Sequence, residues 1–339
     1  MSSLSLRVVA DSFRHALGAL LLAGASALAS AEAPSFDLPI ACHPGRDCFI
    51  QNLYDHDAGP QWQDYACGSL SYDTHTGTDF RVRTIADMER GVAVLAAAAG
   101  TVKSLRDGEP DISVKERGKA RVKGREAGNG VVLDHGDGWE TQYSHLKRGS
   151  IRVRKGEVVE AGKALGLVGL SGNTEFPHVD FTVRRNGVAL DPFAPAGRAA
   201  CGPQAVTLWS AAVAVQLAYQ PSGVLQAGWA GAAPNPGEIA QGRLPAVATT
   251  QSEAMIYWVE VFGLRKGDVQ RFEMLDPEGR ILLVREIPAA RNFAAHFSHV
   301  GVRRPPEGWA PGRYKANYRL LRGVVVSEYS SDFLLEQKM

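Results

Sequence analysis

Three short segments of this 339-residue chain carry residues whose types and spacing suit metal chemistry. The first is His75-Thr76-Gly77-Thr78-Asp79. On an extended strand positions 75, 77 and 79 share one face. The imidazole and the carboxylate then point the same way, and the glycine between them removes side-chain obstruction. The second is Tyr143-Ser144-His145-Leu146, in which polar Ser144 and His145 close a strand-like run. The third is Pro177-His178-Val179-Asp180-Phe181. Here His178 and Asp180 project together while Val179 and Phe181 enter a core. Imidazole nitrogen and carboxylate oxygen both bind zinc and other divalent ions. An imidazole left free beside them can move protons. Each segment alone is a weak signal, because most strand histidines are satisfied core or surface residues. All three, in order, inside one Gly-rich stretch make a much stronger one.

The elements that must position these residues read as β-strands. The chain has 36 glycines, 45% apolar and 22% charged residues, and a formal net charge of +1. That balance excludes a disordered chain, a chain-wide nucleic-acid footprint and lipid anchoring by bulk charge. Residues 67–201 are dense in Gly-bounded apolar runs such as VAVLAAAAG, GVVLDHG, ETQYSHL and GKALGLVGL, so an all-β domain is expected. AVLAAAA has helical propensity, but Gly91, Gly100 and flanking Val92, Val94 and Val102 favour strand. Between Lys103 and Glu126 lie eight Lys/Arg and five Asp/Glu, read as a solvated loop or long hairpin or, more sharply, a mobile rim beside a groove. Residues 32–66, rich in Pro and aromatics, read as an irregular arm. Its His56 (Asp55-His56-Asp57) is taken as a solvated loop histidine, with contact to a metal as the alternative. Residues 202–240 read as a linker and first strand region. Residues 241–339 alternate apolar and polar over several runs, with turns at Asp276–Gly279 and Ala310–Gly312. They suggest an immunoglobulin- or fibronectin-like β-sandwich. It holds no cluster of His, Cys and acids, so it is read as a binding or spacer module.

The segments HTGTDF, VLAAAAGTV, GNGVVLDHGDGWETQYSHL and VRKGEVVEAGKALGLVGLSGNTEFPHVDFTVRRNGVALDPF together resemble the LytM/lysostaphin-type zinc metallopeptidases, metallopeptidase family 23, from near Tyr72 to Phe193. The resemblance implies a Gly-rich β-sheet, barrel-like peptidase domain. It implies metal ligation by His75 and Asp79, and catalytic roles for His145 and His178. The family's last ligand is the second His of H-x-H; Asp180 stands there in this chain. A His/Asp/Asp set still holds a divalent ion, but it neutralises Zn²⁺, weakens it as a Lewis acid and widens the choice toward metals such as Mn²⁺. The implied activity is hydrolysis of peptide cross-links in peptidoglycan, with a metal-activated water attacking the amide and His145 and His178 assisting. Two other readings are carried. One is a catalytically degenerate protein of the same fold that binds peptidoglycan or activates a murein amidase. The other is an envelope adhesion or assembly protein acting through its sandwich, with an envelope protein as partner.

Residues 1–31 fit a secretory signal peptide. Arg7, Arg14 and His15 precede an apolar run from Ala16 to Leu28, and Ala29-Ser30-Ala31 offers a cleavage site. The run is too short for a span of roughly 20 residues. Its removal leaves 35 basic and 35 acidic residues. Export to the periplasm, the cell surface or the medium is expected, where disulfides persist. Cys42, Cys48, Cys67 and Cys201 allow three pairings. A local Cys42–Cys48 loop and a Cys67–Cys201 clasp around the central domain are favoured.

Overall fold

The computed structural model describes residue 1 and residues 33–197, 201–202 and 206–336. The signal-like segment therefore lies outside the described residues, save for Met1. The fold is all-β, and its strands are best given in chain order. They are β1 (Cys48–Asn52), β2 (Thr78–Val82), β3 (Ala93–Leu95), β4 (Gly100–Arg106), β5 (Asn129–Gly136), β6 (Trp139–Leu146), β7 (Val158–Val159), β8 (Ala164–Leu167), β9 (His178–Arg185) and β10 (Val188–Leu190). There follow β11 (Gly223–Ala230), β12 (Ala254–Leu264), β13 (Val269–Leu275), β14 (Ile281–Pro288), β15 (Phe293–Arg303), β16 (Gly312–Arg322) and β17 (Val324–Leu335).

One antiparallel sheet, in the order β1-β2-β9-β6-β5-β4-β7 with β10 on β9, carries all three segments singled out above. Two of its turns are written in the sequence. Asp137-Gly138 and Asn186-Gly187 all have positive φ, between 49° and 80°, as tight hairpin turns between right-twisted strands require. Alternation along β9 sends Val179, Phe181 and Val183 into the core, each fully buried. Phe80, Val131, Leu133 and Tyr143 join them. The opposite face of β9 is left for His178 and Asp180. The AVLAAAA stretch is strand only at Ala93–Leu95; a bend separates it from β4.

The arm is less irregular than its sequence suggests. CFIQN forms β1, an edge of the site sheet paired antiparallel with β2. It lacks alternation because both its faces are covered, with only Ile50 partly exposed. Cys42 is bonded to Cys48 and Cys67 to Cys201. The second bond ties the segment after the arm to the far end of the domain.

The Lys103–Glu126 segment is also more ordered than a solvated loop. It begins in β4, and Glu109 is buried beneath it. Arg125 donates to one Glu109 oxygen at 2.6 Å and Arg117 to the other at 2.8 Å. Asn129 Nδ2 donates to the Glu109 carbonyl at 2.8 Å. The two guanidinium hydrogen bonds hold the Glu109 carboxyl below the ordinary glutamate range.

After the sheet that carries the three segments, strands β11-β12-β15 and β14-β13-β16-β17 form two antiparallel sheets. Met255, Tyr257 and Val259 of one and Phe272, Tyr314 and Tyr318 of the other share a buried apolar cluster. Leu225 and Phe262 belong instead to the same cluster as Phe49 and Leu53, so the two β regions share apolar packing. Among the described residues, no helix is long and apolar enough to cross a membrane.

Two outcomes test these ties. Replacing Cys67 and Cys201 together by Ser should cost about 2–5 kcal/mol, because the bond closes a long loop; denaturant unfolding of the oxidised protein measures it. The stabilisation from Glu109 is present above its unfolded pKa and lost as pH falls through its depressed folded value. Accordingly, Glu109→Gln should speed tryptic cleavage between Lys103 and Arg125 several-fold at neutral pH, as followed by mass spectrometry.

Candidate metal centre

Register brings the acids together. Asp79 on β2 is directly opposite Asp180 on β9, and Asp180 is opposite Ser144 on β6. Directly opposed residues have Cβ atoms about 4.5–5.5 Å apart, so the two carboxylates share one patch. His75 stands three residues ahead of the start of β2. It reaches Asp79 from that approach, not from the strand itself: its Nε2 is 3.2 Å from Asp79 Oδ1. His75, Asp79 and Asp180 each offer a ligand atom, and all three atoms lie within 4.8 Å of one another. Gly77 is required beneath them, because a Cβ there would run into Asp180 Oδ1.

His145 reaches the same face by a break in β6. Simple alternation would send it to the core side with Tyr143. Instead it has φ +62°, and the β5–β6 register shifts between Asn129 and Val131. A bulge of this kind re-aims a side chain, which is why bulges recur beside active sites. The His145 and His178 rings then stand 4.6 Å apart by centroids. His178 Nε2 is 3.5 Å from Asp79 Oδ1.

All three imidazoles meet a backbone carbonyl through Nδ1. His75 Nδ1 is 2.8 Å from the Leu53 carbonyl, His145 Nδ1 2.7 Å from that of Ser171, and His178 Nδ1 2.9 Å from that of Phe176. A carbonyl only accepts, so in each ring Nδ1 carries a proton and donates it. A neutral ring then has its lone pair on Nε2. For His75 and His178 that lone pair faces Asp79 Oδ1, which is also an acceptor. Two acceptors in hydrogen-bond range need a cation or a proton between them. This is the chemical argument that the residues fit a divalent ion.

The charges agree. Burial disfavours a charged imidazole, yet Asp79 beside it raises His75 to about 9. The same contest raises His178. Burial works against the Asp79 carboxylate, but His75 and His178 hold it well below the usual range. Asp180 is raised, first by burial and then by the neighbouring Asp79. His145 is lowered to about 3 by burial and by His178, so its ring is neutral and its Nε2 free to accept. A metal replacing the His75 proton would release that proton, which makes binding pH-dependent.

Several partners have no counterpart in the sequence reading. Asn52 Nδ2 donates to Asp79 Oδ2 at 2.7 Å and fixes that carboxylate from the arm. The one available signal was the adjacent polar pair Gln51-Asn52 in the otherwise apolar CFIQNL run. The Leu53, Ser171 and Phe176 carbonyls left no signal, because any residue supplies one. Tyr72 packs against His75 with ring centroids 4.3 Å apart and the planes tilted by 33°. His56 is neither solvated nor at the site: it is buried and its Nε2 is 2.7 Å from Asp191 Oδ2. Its neighbours Asp55 and Asp57 had suggested exposure, but Asp55 instead accepts backbone N–H bonds from Asp57, Gln63 and Thr74.

Residues 73–192 match the sequence model of peptidase family M23. This segment is a peptidase family M23 domain. The chain is 30% identical over 118 residues to an uncharacterized metalloprotease of Haemophilus influenzae, covering 35% of this chain and 20% of that protein. It is 42% identical over 55 residues to the peptidoglycan DD-endopeptidase ShyA of Vibrio cholerae, covering 16% and 12%. It is 33% identical over 100 residues to the murein hydrolase activator EnvC of Escherichia coli, covering 29% and 22%. This chain thus spans 22% or less of the length of each of these relatives. The M23 segment begins two residues before His75 and ends at Pro192. It includes all five residues of the centre and excludes Asn52.

Outer partners of metal ligands are worth about 10–100-fold in affinity. Asn52→Ala should therefore weaken zinc binding by that factor, measured by competition with a chromophoric chelator. Unchanged affinity would make the Asn52–Asp79 contact incidental.

Proposed function

We propose that this chain is an exported, metal-dependent endopeptidase acting on the peptides of peptidoglycan. The reading rests on one observation above all: three Nε2 atoms and two carboxylates converge on a single face, each imidazole oriented by a carbonyl. Membership of peptidase family M23 and the likeness to a peptidoglycan DD-endopeptidase support the reaction class and the substrate. The signal-like first 31 residues support export.

In this reading His75, Asp79 and Asp180 hold the ion, zinc or another divalent metal such as Mn²⁺. When bound, the ion supplies Lewis acidity toward an amide carbonyl and lowers the pKa of water beside it. His145 is the stronger candidate for general base, because its neutral Nε2 is available throughout the physiological range. Asp79 raises the His178 pKa against the cost of burial, so of the two rings His178 is the better suited to donate a hydrogen bond to a developing oxyanion. Thr174 Oγ1, 3.1 Å from His178 Nδ1, and the Phe176 carbonyl keep that ring from rotating. Burial of these side chains strengthens each charge interaction among them.

The likeness to an activator of murein hydrolases favours a second reading, a metal-free protein that switches on a partner enzyme. Retention of His75, Asp79, His145 and His178 together speaks for chemistry. A carboxylate at position 180 still offers a ligand.

Metal analysis of the purified mature chain should find about one divalent ion per molecule. Muropeptide release from sacculi should stop with chelator and return with zinc or manganese. Protein that carries no metal and releases nothing after metal addition would rule the enzyme reading out. Asp180→Ala should lose the metal by at least about 100-fold, beyond what an outer partner is worth, while Asp180→His keeps or tightens it. Equal affinity in the two variants would make Asp180 a bystander.

A further inference from the structure

A groove of about 730 Å³ lies over the site, and both β regions line it. The M23 domain contributes Asp79, His145 and His178. The second region contributes Glu260, Arg291 and Phe293. A pocket of this volume is large enough for several residues of an extended peptide.

The second region is fixed in that place by specific contacts. Arg81 lies two residues beyond Asp79 on β2 and opposite His178 on β9. Its buried guanidinium donates to Gln51 Oε1, stands over the Phe176 ring at 5.0 Å and lies 3.8 Å from Glu260 Oε1 of β12. Arg265 Nε donates to Ser69 Oγ at 2.9 Å across the same junction. The wall that carries Arg291 is thus attached to the strand that carries Asp79.

Charge then selects the ligand. Of the cations lining the groove, Arg81 faces Glu260, and Lys115 pairs with Glu175 at 2.7 Å. Lys119 and Arg291 are exposed, and neither has a carboxylate within ion-pair distance among the described residues. Arg291 stands over the Phe293 ring at 4.8 Å, which directs its guanidinium along the wall. With Asp79 and Asp180 committed to an ion, the unpaired charges left along the groove are positive and come from both β regions.

We propose that the C-terminal β region forms one wall of the substrate groove, with Arg291, aided by Lys119 of the M23 domain, binding free carboxylates on the peptide. The proposal rests on the reading above that the groove takes a wall peptide. It assigns the second region a part in substrate selection rather than the role of spacer.

Binding to the full-length, metal-loaded chain can be measured by calorimetry with an uncross-linked murein stem peptide. One probe keeps its side carboxylates free; in the other they are amidated. The wild type should prefer the free form. Because charge-assisted hydrogen bonds are about twice as strong as neutral ones, Arg291→Ala should lose about tenfold in affinity for the free form alone. Arg291→Lys should recover part of it. Lys119→Ala should act in the same direction. Melting temperature and metal content of each variant should match the wild type, since both side chains are exposed. Equal binding of the two probes, unchanged in Arg291→Ala, would overturn this proposal while leaving murein hydrolysis intact. A wild type that binds neither probe and cuts no murein would overturn the peptidase reading as well.

Discussion

A backbone carbonyl oxygen can only accept, and three of them set the orientation of the histidines at this centre. The carbonyls of Leu53, Ser171 and Phe176 each take the Nδ1 proton of an imidazole. Every ring that matters is thereby held in one tautomer, with Nε2 aimed at a common place. Side-chain partners could have served, but they would titrate or rotate. Backbone does neither, so the orientation of these rings is built into the sheet and its loops rather than into further side chains.

The rest of the site follows from that constraint together with burial. Asp79 faces two Nε2 atoms and so is drawn down in pKa; Asp180, opposite Asp79, is pushed up. An arrangement with two neighbouring carboxylates on a buried face is poorly satisfied without a cation. The same burial that makes this face costly makes it reactive, since an ion held there is little screened. His145 differs from the other two rings because, among the described residues, no carboxylate stands within ion-pair distance of it and burial acts with little to oppose it. It is the one imidazole of the three that burial leaves neutral.

Much of this was legible in the residues, and the pattern of what was not is informative. Val179 and Phe181 flank Asp180, so a period of two sufficed to put His178 and Asp180 on one face. The Gly-bounded apolar runs announced an all-β domain. Position 145 stood out as a polar residue closing a strand-like run, but only the resemblance gave it a role: period-two reading sends it into the core, and the bulge that rescues it depends on a tertiary backbone contact with Ala127. His75 precedes its strand, so strand alternation gave the right neighbour for a reason that the backbone does not use. His56 was misread because Asp55-His56-Asp57 looks solvated. Its partner Asp191 lies 135 residues away, a separation that no local pattern encodes.

The arm strand β1 gives the candidate metal centre a different boundary from the segment that matches the family. The motif segment starts at residue 73, yet Asn52 and the Leu53 carbonyl, which fix Asp79 and His75, come from earlier in the chain. A fragment cut at the motif would keep every ligand and lose the supports of two of them. Evolutionary exchange of the motif segment alone between chains would meet the same obstacle. The unit that can be inherited, transplanted or trimmed as a working whole extends back through Cys42, whose bond to Cys48 anchors the strand that completes it.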